Sequence, residues 1–270
     1  MKRQRFAVVG FGAITEEVVR CLESLGELDA LLGVLVRPAR MADARQRAGG
    51  RFAVAGSIEA LLGLRPEVVA ECAGHGAMRE LGPGILAHGT DLLCASVGVL
   101  ADRSFAAEIT RAARHPARLL IPSGAIAGID GLLAARTAGL QRVTYTSVKP
   151  PAAWKGTPAE SKLAGTALHQ RTTFFEGSAR EAAMQYPQNA NVGATVAFAG
   201  LGLDRTVVKL VSDPRASGPL GIIEADGDFG SFRFEILAYA SRNPKTSTLT
   251  AHSIVMALRE GMCLAVDLIP

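Results

Sequence analysis

Short apolar runs alternate with helix-like segments through the first 122 residues. The apolar runs are continuous, which is typical of strands covered on both faces of a sheet. Alternation of this kind predicts βαβ units with right-handed crossovers and hence a parallel sheet. We therefore interpret residues 1–122 as a Rossmann-type α/β domain. Strands are predicted at residues 6–9, 31–36, 52–54, 68–72, 91–94 and 119–121, and helices at 12–25, 78–88 and 104–114.

The pattern changes after Pro122. Helical spacing at 126–138 precedes a half-exposed strand at 143–148, and two helical segments follow at 178–184 and 191–200. Three strand-like runs then come without intervening helices, at 206–211, 221–224 and 231–239, which predicts antiparallel pairs and an α+β second domain. A last helix at about 247–260 is expected to return to the first domain. The predicted domains are residues 1–122, 123–242 and, for the C-terminal helix, 243–270.

Composition excludes several classes of protein. The net charge is only +4 and no block of like charges occurs, so a nucleic-acid partner is not expected. The chain is 49% hydrophobic, typical of a globular protein, yet no apolar run approaches the roughly 20 residues of a membrane span. Met1–Arg5 leads directly into a predicted strand, so we expect no signal peptide and a cytoplasmic location.

Cysteine and histidine spacing argues against a metal site. The four cysteines lie far apart without a C-x-x-C pair, and no histidine pair has H-x-x-x-H spacing. Reduced thiols in a reducing compartment are therefore expected.

A predicted strand, a glycine turn and a helix open the chain. Gly10 permits a tight turn, and Gly12 lets backbone N–H groups approach a pyrophosphate at the positive end of the helix. Thr15 stands where this type of turn has a third glycine, which serves helix–strand packing more than phosphate contact. We predict that Gly10, Gly12, Ala13 and Ile14 contact a dinucleotide; the alternative is an ordinary strand–turn–helix.

Basic residues, with no acidic one, follow the second predicted strand. An acidic residue there would bind the adenosine ribose of NAD, whereas Arg37 and Arg40 match a 2′-phosphate. We therefore expect NAD or NADP as the cofactor and favour NADP, with solvated surface arginines as the alternative.

Small residues end the fourth and fifth predicted strands. Ligands of open α/β sheets bind beyond the carboxyl ends of strands, so Ala73, Gly74 and Ser96 are predicted to leave room for a nicotinamide ring. His75 could touch cofactor or substrate, or could simply be a polar surface residue.

Several blocks of the sequence together resemble the L-aspartate dehydrogenase family. They lie at residues 71–75 (ECAGH), 123–126 (SGAI), 149–158 (KPPAAWKGTP), 175–177 (FEG), 186–192 (YPQNANV) and 243–247 (NPKTS). The resemblance implies a Rossmann domain, an α+β domain that forms a homodimer, and a C-terminal helix returning to the first domain. It also implies NAD(P)-dependent interconversion of aspartate with oxaloacetate and ammonia through iminoaspartate, an intermediate usable in NAD biosynthesis.

The resemblance assigns roles to particular residues. It implies cofactor contacts at Ala125 and Asn191, and both residues are present. The family's catalytic histidine lies eight residues after the aspartate of an Asp-Pro pair, and Gly221 occupies that place here. Glycine offers no proton donor or acceptor, so the resemblance implies slow or altered catalysis. The catalytic residue is therefore unknown from the sequence.

Three places could compensate for this glycine. His252 lies near the start of the last helix, and Lys149 could bind a substrate carboxylate or donate a proton; either could instead be a solvated polar residue. Lys245, Thr246 and Ser247 form a polar helix entrance suited to an anion.

Three functions remain open at this point. The favoured one is an NAD(P)-dependent oxidoreductase that acts on a small dicarboxylic amino or oxo acid and ammonia. The others are a non-catalytic NAD(P)-binding protein and a dehydrogenase or imine reductase for a different small substrate.

Overall fold

The computed structural model describes residues 4–113, 117–163, 170–187, 189–238 and 247–266. The chain divides into two compact units. The first consists of residues 1–96, 103–124 and 248–270, and the second of residues 97–102 and 125–247. Both ends of the chain therefore belong to the first unit, while the second is formed by the middle of the chain and one short earlier segment.

A mostly parallel sheet is the centre of the first unit. Numbered along the whole chain, its strands are β1 (Phe6–Val9), β2 (Leu31–Leu35), β3 (Ala53–Ala55), β4 (Val68–Glu71), β5 (Asp91–Cys94), β6 (Leu119–Pro122) and β12 (Cys263–Ala265). The strand order is β12-β6-β5-β4-β1-β2-β3. Only β12 is antiparallel to its neighbour among these described strands. The continuous apolar runs of β1, β4 and β6 are fully buried, as strands covered on both faces must be.

The helices of the first unit cover this sheet. They are α1 (Ala13–Ser24), α2 (Met41–Ala48), α3 (Ile58–Leu62), α4 (His75–Ala87), α5 (Arg103–Ala112) and α10 (Thr248–Glu260). Val18 and Leu22, one turn apart on α1, pack with Phe6 of β1 and with Ile254 and Leu258 of α10 in one buried cluster. Burying each such side chain contributes about 1.5–3 kcal/mol, so α10 is an integral part of this core.

A mixed sheet is the centre of the second unit. Its strands are β7 (Leu140–Lys149), β8 (Thr172–Ser178), β9 (Val207–Ser212), β10 (Leu220–Gly227) and β11 (Gly230–Leu237), in the order β11-β10-β7-β9-β8. The central β7–β9 pair is parallel, and the other pairs are antiparallel.

Helices lie beside this second sheet. They are α6 (Ile129–Thr137), α7 (Ala159–Lys162), α8 (Ala179–Gln185) and α9 (Asn191–Ala199). A capping box begins α8, because the Ser178 hydroxyl accepts from the Glu181 N–H while the Glu181 carboxylate accepts from the Ser178 N–H. Gly193 brings α9 close to the sheet: a Cβ atom there would meet Val208 at 3.1 Å and Tyr145 at 3.3 Å.

The fold class predicted from the sequence is confirmed, with a Rossmann-like unit and a second α+β unit. The pattern missed β8, β12, α2, α3 and α7. A bulge between Thr173 and Phe175 interrupts the alternation in β8, and β12 has only three residues. Helix α2 buries only Ala44 and Ala48, residues too small to make an apolar stripe stand out.

In the described part of the chain, no helix combines the length and the apolar character that crossing a membrane requires.

Candidate functional site

The glycine turn between β1 and α1 is built as a phosphate-binding loop requires. Gly10 has φ +95°, and a Cβ atom on it would lie 2.9 Å from the Cβ of Ala73, so only glycine fits. Gly12 precedes α1 without a side-chain cap and has nothing within 4 Å of its Cβ position. The Thr15 hydroxyl donates to the Gly10 carbonyl at 3.0 Å, so the residue that replaces the third glycine closes the turn itself.

A cleft of about 1030 Å³ opens in front of this turn. Among the sequence-predicted cofactor residues, the cleft is lined by Gly10, Gly12, Arg37 and Ala73, and Arg40 lines it too. Ala13 and Ile14 form the first turn of α1 behind Gly12. A dinucleotide fits this combination of an uncapped helix N-terminus, an open glycine and basic side chains.

The arginines that line this cleft differ in whether they form ion pairs with acidic side chains. Arg47 of α2 is paired with Glu16 and, at 3.3 Å, with Asp43, so the two acidic side chains have a cationic partner. Arg37 precedes the short helix that follows β2 and Arg40 ends it, and both side chains are exposed. No ion pair is formed by either in the described residues, which leaves two positive charges at the cleft.

Arg47 also contacts the glycine turn itself. Its guanidinium donates to the Phe11 carbonyl at 3.1 Å and lies 4.1 Å from the centre of the Phe11 ring. This contact could not be predicted from sequence patterns, because 36 residues separate the two positions.

Glu71, the last residue of β4, is 1% exposed. Its carboxylate accepts from the N–H groups of Ala73 at 2.8 Å, Gly74 at 2.7 Å and Ser96 at 3.1 Å. Burial raises the pKa of this carboxyl above its ordinary value, and the hydrogen bonds from Gly74, Ser96 and Ala73 oppose that rise. The predicted Gly74 and Ser96 are therefore held by Glu71; neither is among the residues that line the cleft.

Lys149 forms a polar site at the end of β7 in the second unit. Its ammonium group donates to Asn189 Oδ1 at 3.1 Å and lies 5.2 Å from the centre of the Trp154 ring. Burial lowers the pKa of Lys149 to about 8. Ser212 pairs with Lys149 in parallel register, so both side chains are on the same face of the sheet. Trp154 Nε1 and Ser212 Oγ are buried and have no hydrogen-bond partner among the described residues.

The two residues implied as cofactor contacts by family resemblance also lie in the second unit. Asn191 is the first residue of α9, and its Oδ1 accepts from the N–H of Gly98 at 2.9 Å, which ties the 97–101 segment to this helix. Ala125 precedes the buried Ile126 and is partly exposed.

Gly221 lies on β10 with neighbouring side chains packed closely against it. It pairs with Ser147 of β7, and a Cβ atom on it would lie 3.0 Å from Ile126 Cδ1 and 3.4 Å from Tyr145 Oη. Burial raises the pKa of Tyr145 to about 12, so this hydroxyl remains protonated at neutral pH. Sequence reasoning missed Tyr145, whose position in an alternating strand looked like that of any core aromatic.

The remaining residues that the sequence predicted as functional do not line this cleft or lie outside the described residues. His252 of α10 is 48% exposed; its Nδ1 is 3.4 Å from Cys21 Sγ and its Nε2 is 3.6 Å from Glu17 Oε1. It does not line the cleft. His75 is the first residue of α4. Ser247 precedes α10, while Lys245 and Thr246 lie outside the described residues.

Known proteins match this chain along nearly its whole length. A sequence profile described as the aspartate dehydrogenase C-terminal domain matches residues 130–261, and one described as the homoserine dehydrogenase NAD-binding domain matches residues 10–122. An L-aspartate dehydrogenase of Ralstonia nicotianae is 42% identical over 93% of this chain and 95% of its own length. The L-aspartate dehydrogenase of Ruegeria pomeroyi is 44% identical over 96% and 92%. The chain belongs to the L-aspartate dehydrogenase family.

The fold of this chain is also similar to that of solved dehydrogenase structures. The aspartate dehydrogenase of Thermotoga maritima superposes with a TM-score of 0.73 at 24% identity, covering 98% of this chain and 100% of the other. A homoserine dehydrogenase of Thiobacillus denitrificans superposes with a TM-score of 0.59 at 14% identity, over 97% and 74%. The match of residues 10–122 to an NAD-binding domain model identifies the first unit of this L-aspartate dehydrogenase family member as an NAD(P)-binding domain.

Among the residues that the structure describes, no group of three His, Cys, Asp or Glu side chains is placed to hold a metal ion.

Proposed function

We propose that this protein is an L-aspartate dehydrogenase. L-Aspartate and NAD(P)⁺ give iminoaspartate, NAD(P)H and a proton, and water then hydrolyses the imine to oxaloacetate and ammonia. The observation that carries the proposal is the 42–44% identity to proteins named L-aspartate dehydrogenase over more than nine-tenths of both chains.

The first unit supplies the cofactor site of this reaction. The uncapped N–H groups that begin α1 hold the pyrophosphate, and the open position at Gly12 lets it approach the backbone. Arg37 and Arg40 bind the 2′-phosphate of NADP, because Arg47 is already paired with Glu16 and Asp43. When bound, the nicotinamide ring supplies the hydride acceptor.

The second unit supplies a site for the substrate. The Lys149 ammonium group is partly buried beside Asn189 and Trp154, where a carboxylate gains more from a positive charge than it would in water. In its charged form Lys149 therefore binds a carboxylate of aspartate. Ser212 Oγ, on the same face, offers a further donor.

Purified protein assayed for NADPH-dependent amination of oxaloacetate tests the proposal. Lys149→Met is expected to raise KM for oxaloacetate by about tenfold or more, because one charge-assisted hydrogen bond contributes about 1.5–3 kcal/mol. Lys209→Met serves as the control, since this lysine lies on β9, next to β7, but pairs at the surface with Glu176 at 3.1 Å. Absence of any dicarboxylate turnover with either dinucleotide would reject the proposal.

A non-catalytic NAD(P)-binding protein is the second candidate, and Gly221 is the observation that favours it. A glycine next to Tyr145 and Ile126 provides no acid–base group of its own. Tight NADPH binding without turnover of aspartate or of other amino acids would decide for this candidate.

Two further properties are part of the proposal. We infer a homodimer formed through the second unit, because β11 is an edge strand whose Leu237 is 56% exposed. Sedimentation of the purified protein as a monomer would reject it. We also infer a cytoplasmic location, because Cys21, Cys72, Cys94 and Cys263 are all free thiols.

A further inference from the structure

The most deeply buried acidic side chain at the cofactor end of the first sheet is Glu71, which neither substrate binding nor proton transfer uses. A buried carboxylate without partners would be strongly destabilising. Here Ala73, Gly74 and Ser96 all direct their backbone N–H groups at it, and the Ser96 hydroxyl also bonds to it. Each of these groups is a donor, so the carboxylate acts purely as an acceptor.

These donors join two separate chain segments at the carboxyl edge of the sheet. Ala73 and Gly74 follow β4, and Ser96 follows the neighbouring β5, so one side chain fixes the directions in which both segments leave the sheet. Gly74 has φ +106°, a conformation open to glycine and rarely adopted by other residues, so several directions are available to the chain here unless a contact selects one.

The position of Ala73 in turn determines the shape of the cofactor turn. The Cβ of Ala73 lies where a side chain on Gly10 would be, 2.9 Å from that position, and both residues line the cleft. A shift of the 73–74 segment would therefore open or close the space against Gly10.

We propose that Glu71 is a positioning residue for the cofactor: it fixes the 73–74 segment against the Gly10 turn before the dinucleotide arrives. The inference rests on the proposed NAD(P) dependence. Glu71 does not touch the cofactor; it acts through the backbone of Ala73 and Gly74. Preorganisation of this kind strengthens binding by removing the cost of ordering the loop.

Glu71→Gln tests this role, because the amide has the same shape but places an NH₂ group against a backbone N–H. One donor is left unsatisfied, which is expected to raise KM and Kd for NAD(P)H by about tenfold while kcat at saturating cofactor stays within twofold.

Asp91→Asn is the matched control. Asp91 begins β5 at the opposite edge of the sheet and also accepts three hydrogen bonds, from Arg118 N at 2.7 Å, Nε at 3.1 Å and Nη2 at 2.7 Å. We expect both Asp91→Asn and Glu71→Gln to lower Tm, but Asp91→Asn should leave KM for the cofactor unchanged. An unchanged KM in Glu71→Gln, or an equal rise in Asp91→Asn, overturns the positioning role.

Two further measurements keep the test decisive. A wild-type protein that binds neither NADH nor NADPH overturns the proposed function itself, and with it this inference. If Glu71→Gln does not fold, amide exchange in the cofactor-free wild type is measured instead. The Gly74 and Ser96 amides are then expected to exchange as slowly as Ala70 within β4. Rapid exchange at both overturns the proposal.

Discussion

A histidine introduced at position 221 tests directly how this chain handles the proton. The new Cβ would lie 3.0 Å from Ile126 Cδ1, closer than van der Waals contact, and 3.4 Å from Tyr145 Oη. Overpacking of this kind costs about 1–3 kcal/mol, so Gly221→His alone is expected to lower Tm by several degrees. Ile126→Val removes the Cδ1 methyl and should restore most of the loss.

The expected gain is catalytic. A positioned acid–base group typically accelerates a reaction by about 10²–10⁴-fold, so Gly221→His with Ile126→Val should raise kcat for oxaloacetate amination at least tenfold, with Kd for NADPH unchanged. Gly221→Leu with Ile126→Val is the control, since leucine has similar bulk and no proton to transfer. Equal rates in the two double variants, both folded and binding NADPH, would refute the reasoning. So would a wild-type kcat for aspartate already near about 10 s⁻¹, the median for enzymes.

Three other perturbations have defined outcomes. Arg37→Asp should weaken NADPH binding by about tenfold or more and leave NADH binding nearly unchanged, as measured by fluorescence titration. Equal dissociation constants for NADH and NADPH in the wild type would contradict the 2′-phosphate assignment. KM for aspartate should rise as pH increases through about 8, where Lys149 loses its proton, and Lys149→Arg should abolish the rise because arginine does not titrate there. Because folding lowers the pKa of Lys149 from 10.5 to about 8, the unfolded chain binds this proton more strongly than the folded chain does. The contribution of Lys149 to the free energy of unfolding is therefore complete above pH 10.5 and is lost as pH falls through about 8. Denaturant titrations at several pH values measure this loss. Arg47→Ala should raise KM for both dinucleotides about tenfold. Arg51→Ala, which breaks the ion pair between the segment after α2 and Glu23 of α1, should lower only Tm. Equal KM values for the two variants would contradict a role for Arg47 at the turn.

The cofactor turn was predictable from sequence because its requirements are local. Gly10 and Gly12 stand between a buried strand and a helix, and their spacing alone determines which backbone groups face a ligand. Arg37 lies two residues after the second strand and lines the cleft, while its contact with a 2′-phosphate stays a prediction. The role of Thr15 was not: its hydroxyl supports the turn through a bond to Gly10 that spacing does not indicate.

Contacts between separate segments of the chain could not be predicted from the sequence. Lys149 was recognised as a candidate, but Asn189 and Trp154, which surround it, are brought there by separate segments. Glu71 did leave a signal, an acidic residue inside an apolar strand, yet only the fold identifies Ser96 as one of its partners.

The discontinuous first unit has a consequence for biosynthesis. Ile254 and Leu258 complete the core around Val18 and Leu22, but they are translated after the whole of residues 125–247. At about 5–20 residues per second, the ribosome needs roughly 6–25 s to make that stretch. During this time the face of α1 that later contacts α10 remains uncovered, a surface that chaperones could recognise. The second unit, whose residues are complete earlier, can mature first, so the part of the chain that begins translation is among the last to reach its final structure.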